Sequence, residues 1–171
     1  VHDLGKLSNP AVYVENLVDQ PDPHDALSPA ESALAIRKHV AAGLQLASRY
    51  KLPRELRRLI AEHHGTQAVP GPLHRAVHQG LDLDPAVYYY PGPLPRTREA
   101  AVLMVADAVE GRCRRLDDPS LAAVSDAVES VFDGLLQQYQ LEQTDLTLGE
   151  MLVLQHRLIQ TVRHTLHRRV A

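Results

Sequence analysis

The segment from Ser28 to Tyr50 constrains the fold more than any other part of the chain. Ser28-Pro29-Ala30-Glu31 carries a complete helix start: a capping hydroxyl, a proline suited to the first helical position, and a glutamate three residues on that closes a capping box. Leu34, Ile36, Val40, Leu44 and Ala47 follow within an alanine- and leucine-rich run, so a helix is predicted to about Tyr50. Pro53 begins a second helix, with Leu56, Leu59 and Ile60 on its apolar face and Gly65 stopping it just after His63 and His64. Thr97 caps a third, to about Leu116; Asp118-Pro119 opens a fourth, to about Gln138; and Asp145 is placed to cap a last helix from about Leu146 to Arg168. Nowhere do four or more residues alternate as a strand, so the chain reads as all-α.

Between Gln67 and Arg96 the helical pattern gives way. Half of the twelve prolines lie there, with Tyr88, Tyr89 and Tyr90, and a loop this long inside a domain is usually functional or mobile. A short helix is expected around Pro72 to Gly80. With 171 residues there is enough chain for one cored domain over residues 1–171, or for two small ones. Aromatic residues are 4% and tryptophan is absent, so the core has to be aliphatic. A net charge of −3 argues against a long nucleic acid as partner. Cys113 stands alone, flanked by Arg112 and Arg114, and reads as a structural thiol in a reducing compartment. No apolar run approaches the roughly 18 residues that span a bilayer, and Val1-His2-Asp3 has neither the basic start nor the apolar stretch of a signal peptide. The chain opens inside a motif, which is the mark expected of a fragment.

Ten histidines are more than a chain of this length needs. Metal-binding side chains fall in four places: His2-Asp3, followed by Gly5-Lys6; His39, within the capped helix; the adjacent pair His63-His64; and Asp107, inside Ala100 to Val109. Asp107 is flanked by apolar residues, Leu103 to Ala106 before it and Ala108 and Val109 after it, so partial burial is expected, and a buried carboxylate needs a cation or donors. A metal ion or an arginine would each serve. A lone helical histidine such as His39 is ordinarily solvated or hydrogen-bonded. Adjacent helical histidines point about 100° apart, so one of the pair can bind metal while the other faces substrate or a second metal. The combination of imidazole and carboxylate suits zinc, iron, manganese or nickel and has a hydrolytic use.

His2-Asp3-Leu4-Gly5-Lys6 is similar to the H-D-x-G-K signature of the HD phosphohydrolases. Asn9-Pro10, Glu15-Asn16, Pro23-His24-Asp25, Leu27-Ser28-Pro29, Lys38-His39-Val40, Tyr50 to Pro53, Glu62 to Thr66, Tyr90 to Pro93, Glu99 to Asp107 and Asp145 to Leu148 then follow in the order of the PgpH-type, seven-transmembrane HD proteins. The resemblance spans nearly the whole chain. It implies an all-α HD-domain helical bundle with a long Pro/Gly-rich loop, on the cytoplasmic face of a bacterial membrane and anchored through a larger parent protein. It further implies two divalent metal ions, iron or manganese, and cleavage of cyclic di-AMP to linear pApA by a metal-activated hydroxide. His2, Asp3, His39, His63, His64 and Asp107 would be the ligands, with Asp3 bridging the metals. The family has a further histidine on a helix before H-D, upstream of Val1, so one metal site is expected to lack a ligand here and the fragment to be weak or inactive.

Within that resemblance Lys6 becomes a charge aimed at substrate phosphate, with Gly5 letting the backbone turn close to the metals. Asp3 and Lys6 are thus the expected catalytic residues, and Lys6, Thr66 and His24 the expected contacts to substrate. His74, His78, His156, His164 and His167 read as structural or solvated. Among HD enzymes a cyclic-di-GMP hydrolase of the HD-GYP type would carry Gly-Tyr-Pro after the histidine pair, where this chain has Gly65-Thr66. Another HD phosphohydrolase, or a non-catalytic HD module that senses nucleotide or docks a partner, are the rival readings.

Overall fold

The computed structural model describes residues 1–13, 21–118 and 120–170, with side chains as far as Thr165. Glu15-Asn16, Pro119 and the side chain of His167 lie outside the described residues. The chain divides into two compact units, residues 1–93 and 94–171. Both are helical. A single antiparallel bridge between Ala68 and Tyr89 is the only β pairing among the described residues, and the all-α expectation holds.

The first unit is organised around α1 (Pro29–Arg49). Its start is the expected capping box: the Ser28 hydroxyl accepts from the Glu31 backbone N–H, and the Glu31 carboxylate accepts from the Ser28 N–H and hydroxyl. Those bonds hold the Glu31 carboxyl below the ordinary carboxylate range. Among the described residues, 3-10 turns precede α1 at Leu4–Ser8, Pro10–Val12 and Pro23–Ala26. α2 (Arg54–Glu62) packs on α1 through the fully buried Ile60. It ends one residue before the histidine pair, so His63 is its C-cap and His64 lies in the turn beyond, where Gly65 has a φ of +50°.

The stretch expected to be irregular contains two helices, α3 (Pro70–His78) and the single turn α4 (Pro85–Tyr88). Prolines that looked like loop residues instead occupy first turns, where a missing N–H is no loss. Ala76 and Tyr88 pack on Ala33 of α1 and form a small core with Leu73, Val87 and Tyr89.

The second unit consists of α5 (Arg98–Cys113), α6 (Leu121–Gln137) and α7 (Leu148–Val170). Its core is aliphatic around the single Phe132, with Met104, Val105, Val109, Val124, Val128 and Leu135 all buried. Cys113 is buried there, and burial, with Glu110 adding to it, raises its thiol, as befits a structural cysteine. Two helix starts differ from expectation. Ser120, not Asp118, caps α6 by accepting from the Ala123 N–H. Thr147, not Asp145, caps α7 in a second capping box with Glu150, while the Asp145 carboxylate accepts from Arg98 Nε at 3.2 Å. Among the described residues no helix is long and apolar enough to cross a membrane.

The tightest packing in the first unit is between the turn that follows Asp3 and α1. A Cβ at Gly5 would lie 1.8 Å from the His39 carbonyl oxygen and 2.5 Å from the Gly43 nitrogen, both backbone atoms that cannot rotate aside. Gly5 is therefore required for close approach to α1, which is the distance that sets Asp3 against His39. Gly5→Ala is expected to destabilise the chain by about 1–3 kcal/mol and to weaken metal uptake. The control is Gly71→Ala, whose Cβ meets nothing within 4 Å and which is expected to unfold at an unchanged or higher denaturant midpoint. Denaturant titration of the two variants beside the parent, with metal analysis of the folded samples, checks both.

Candidate metal centre

α1 and the C-terminal end of α2 aim two of the histidines of the centre. His39 lies on the buried face of α1, 1% exposed, with Nδ1 2.6 Å from the Ile36 carbonyl. His63, fully buried at the end of α2, repeats the arrangement with Nδ1 2.8 Å from the Ile60 carbonyl. A carbonyl only accepts, so both Nδ1 atoms carry the hydrogen, and in the neutral ring Nε2 presents a lone pair. Those lone pairs converge. His39 Nε2 lies 3.2 Å from His63 Nε2 and 3.1 Å from His64 Nε2. The carboxylate of Asp3 completes the group, its Oδ1 3.5 Å from His39 Nε2 and 3.8 Å from His63 Nε2. One ligand atom from each of Asp3, His39, His63 and His64 falls within 4.8 Å of all the others.

The Nδ1–carbonyl bonds turn the Nε2 lone pairs of His39 and His63 toward the Asp3 carboxylate, a concentration of negative charge that a cation among them would relieve. The donor set fits a divalent transition metal, and Nδ1 bonded to a carbonyl is how ligating histidines are commonly held. His2 flanks the group, its ring centroid 5.1 Å from that of His63 and its Nε2 3.5 Å from Asp3 Oδ2. Asp107 is half-buried midway along α5 in the second unit.

Burial alone would raise the Asp3 carboxyl. Hydrogen bonds from His2 and Lys6, together with their charges, outweigh it and hold Asp3 well below the ordinary carboxylate range. Lys6 Nζ is 2.7 Å from Asp3 Oδ2 and 5.3 Å from the centre of the Tyr13 ring, so its charge is directed at the Asp3 carboxylate. Thr66, just past the pair, is exposed.

His24 was expected to line a nucleotide pocket. Its Nε2 is 2.8 Å from the Val12 carbonyl, which makes that nitrogen the donor, and its Nδ1 accepts from the buried Ser32 hydroxyl at 2.7 Å. Both nitrogens are engaged within the protein, and His24 ties the segment before α1 to that helix.

Two tyrosines at the centre were not singled out from the sequence. Tyr90 is 7% exposed and stacks on His64, with centroids 4.2 Å apart and planes 20° from parallel. Its backbone N–H donates to the Gln67 carbonyl, which ties it to the turn that carries the histidine pair. Tyr13, also buried, stands edge-on to His39 at 6.1 Å. Tyr90 belongs to the Tyr90-Pro91-Gly92-Pro93 motif, but three consecutive tyrosines give no sign of which one meets the histidines. The buried carboxylate of Glu62, 3.9 Å from Arg58 Nε, likewise escaped notice.

The HD-domain family model matches residues 1–112. A cyclic-di-AMP phosphodiesterase PgpH of Bacillus subtilis is 33% identical over 169 residues, which are 99% of this chain and 24% of that protein. The PgpH of Listeria monocytogenes is 28% identical over the same coverage. The chain therefore spans about a quarter of the length of these relatives. The crystal structure of the Listeria PgpH HD domain in complex with cyclic di-AMP superposes with a TM-score of 0.91 at 28% identity, covering 96% of this chain and 77% of that one. The chain belongs to the HD-domain family, and in sequence and fold its relatives are PgpH HD domains.

Proposed function

We propose that this domain is a metal-dependent phosphodiesterase that hydrolyses cyclic di-AMP to linear pApA. The observation that carries the reading is the convergence of the His39, His63 and His64 Nε2 atoms on the Asp3 carboxylate, in a chain whose relatives are named for that activity. His2, Asp3, His39, His63, His64 and Asp107 are the proposed ligands of two divalent ions, iron or manganese. Asp107 enters the set through its motif. Such ions, when bound, supply Lewis acidity toward phosphate oxygens and a hydroxide at neutral pH.

The residues of the chain do the rest. Asp3, held ionised by His2 and Lys6, would serve as a metal ligand without a proton to lose. Lys6 balances its charge and is the proposed contact to a phosphate oxygen of the substrate. Thr66 offers a hydroxyl at the rim of the same turn. The stacked Tyr90 ring keeps His64 from rotating. In the longer relatives the match covers about a quarter of the protein; by the same reading the natural setting of this domain is the cytoplasmic face of a membrane, in a larger anchored protein.

The assay is metal analysis of the purified chain, then incubation with cyclic di-AMP and Mn²⁺ and chromatography of the products. Appearance of pApA, reduced more than about 100-fold by Asp3→Ala, supports the proposal, since loss of a merely supporting contact costs no more than that. Metal bound without cleavage of the dinucleotide would keep the centre and move the substrate to another nucleotide. Neither metal nor nucleotide bound would leave a docking module.

Tyr90 gives a separate test. Tyr90→Ala is expected to lower metal affinity by about 10–100-fold, whereas Tyr90→Phe, which retains the stacked ring, stays within about 3-fold of the parent. Competition with a chromogenic chelator measures both.

A further inference from the structure

A second arrangement of imidazoles lies on the outer face of α3. We propose that His74 and His78 form a chelating surface site for a tetragonal divalent ion, copper(II) or nickel(II), separate from the Asp3 centre and sharing no residue with it. The two histidines are one helical turn apart, both exposed, with Nε2 atoms 3.0 Å apart and ring centroids 4.3 Å apart. They are the pair that the sequence left as solvated.

The spacing selects the metal. With an imidazole–metal bond of about 2.05 Å, a 3.0 Å separation subtends an angle of about 94° at the ion. A tetrahedral ion would hold the same two nitrogens about 3.3 Å apart. An angle near 90° is the cis angle of a square-planar or tetragonal ion, the geometry of copper(II) and nickel(II) with nitrogen donors. Water fills the remaining positions, since both rings face solvent.

The helix beneath holds that spacing. Between the two histidines Arg75 and Ala76 turn inward: Arg75 Nη1 donates to the His24 carbonyl at 2.9 Å, and Ala76 is fully buried against Ala33 and Tyr88. Pro72 is buried as well, and the N–H of Val69, the N-cap, donates to the Tyr88 carbonyl at 2.8 Å. With its inner face fastened, α3 cannot roll to separate the rings. His78 is the last residue of the helix, where unpaired carbonyls favour a cation. The two Nε2 atoms stand at hydrogen-bonding distance, one ring donating and the other accepting according to the tautomer. An ion takes that place when the donating ring carries its proton on Nδ1 instead, so binding needs no net loss of a proton.

The test is calorimetric titration of the whole chain with Cu²⁺, beside His74→Ala, His78→Ala and the double variant. The Asp3 centre also takes up Cu²⁺, so the readout is the difference between parent and variants. The parent is expected to bind one more equivalent than the double variant. Each single variant is expected to lose that equivalent as well, by on the order of 10-fold or more in affinity, because the second imidazole acts through its high local concentration. Substoichiometric Cu²⁺ should broaden the ring proton signals of His74 and His78 together in the NMR spectrum. Equal uptake by parent and double variant overturns the proposal, and so does single-variant binding that stays within 2-fold of the parent, the behaviour of two independent imidazoles. Both histidines are exposed, so the variants fold; unchanged circular dichroism verifies that. Failure of cyclic di-AMP turnover has no bearing on the outcome.

Discussion

Two backbone carbonyls, those of Ile36 and Ile60, fix the chemistry of the candidate centre. Each takes the Nδ1 hydrogen of the histidine three residues on, so His39 and His63 must both present Nε2 inward. Once both rings are locked, the 3.2 Å between their Nε2 atoms is set by the packing of α1 on α2, and Ile60 supplies both the packing and one of the carbonyls. Gly5 brings Asp3 to the same point by letting its turn touch the backbone of α1 at His39 and Gly43. Each approach is a steric or hydrogen-bonding constraint on the apoprotein. The convergence of lone pairs is thus built into the fold, and the cation it calls for is the natural remedy for a repulsion already in place.

The parts of this arrangement that could be read in advance are those governed by local rules. Ser28 and Glu31 satisfy each other within four residues, so α1 was legible with its cap. The cap of α7 was misplaced by two residues because Asp145 and Thr147 both have capping chemistry, and only the pairing of Arg98 with Asp145 decides between them. The short helix expected around Pro72 to Gly80 is α3, but Pro70 and Pro85 read as loop signals because a proline at a first helical turn and one in a loop look alike; burial of Ala76 and Tyr88 against Ala33 distinguishes them. The candidate ligands were legible for a different reason: they carry chemistry that the core of a helical unit does not need. Which of their neighbours support them was not, because Tyr90 reaches His64 across 26 residues of chain through contacts of the Gln67 turn.

Lys6 and Gly5 have structural surroundings other than those the sequence suggested. Glycine was expected where backbone nears metal, but the atoms that exclude a side chain there belong to α1. Lysine was expected to face phosphate, yet it sits on the Asp3 carboxylate. Both roles are upstream of substrate: one sets where Asp3 is, the other keeps it charged. His24 is the complementary case, a histidine in a polar loop that looked like a ligand contact and is instead a hydrogen-bonded brace between Val12 and Ser32.

The chain holds imidazoles in two physical regimes, and the contrast explains why one cluster is a plausible catalytic centre and the other is not. At the Asp3 centre the donors come from separate elements, and His39 and His63 have their Nδ1 atoms fixed by carbonyls and are shut off from water. Charge placed there is poorly screened, so an ion acts strongly on whatever it touches. On α3 the donors lie on one helix in open solvent, where water competes for every coordination position and screens the ion. Shared ligand chemistry therefore stands in different surroundings: an ion at the first site would be poorly screened, while one at the second would be open to water. It is the surroundings of a histidine, set by which helix faces the packing buries, that separate the two.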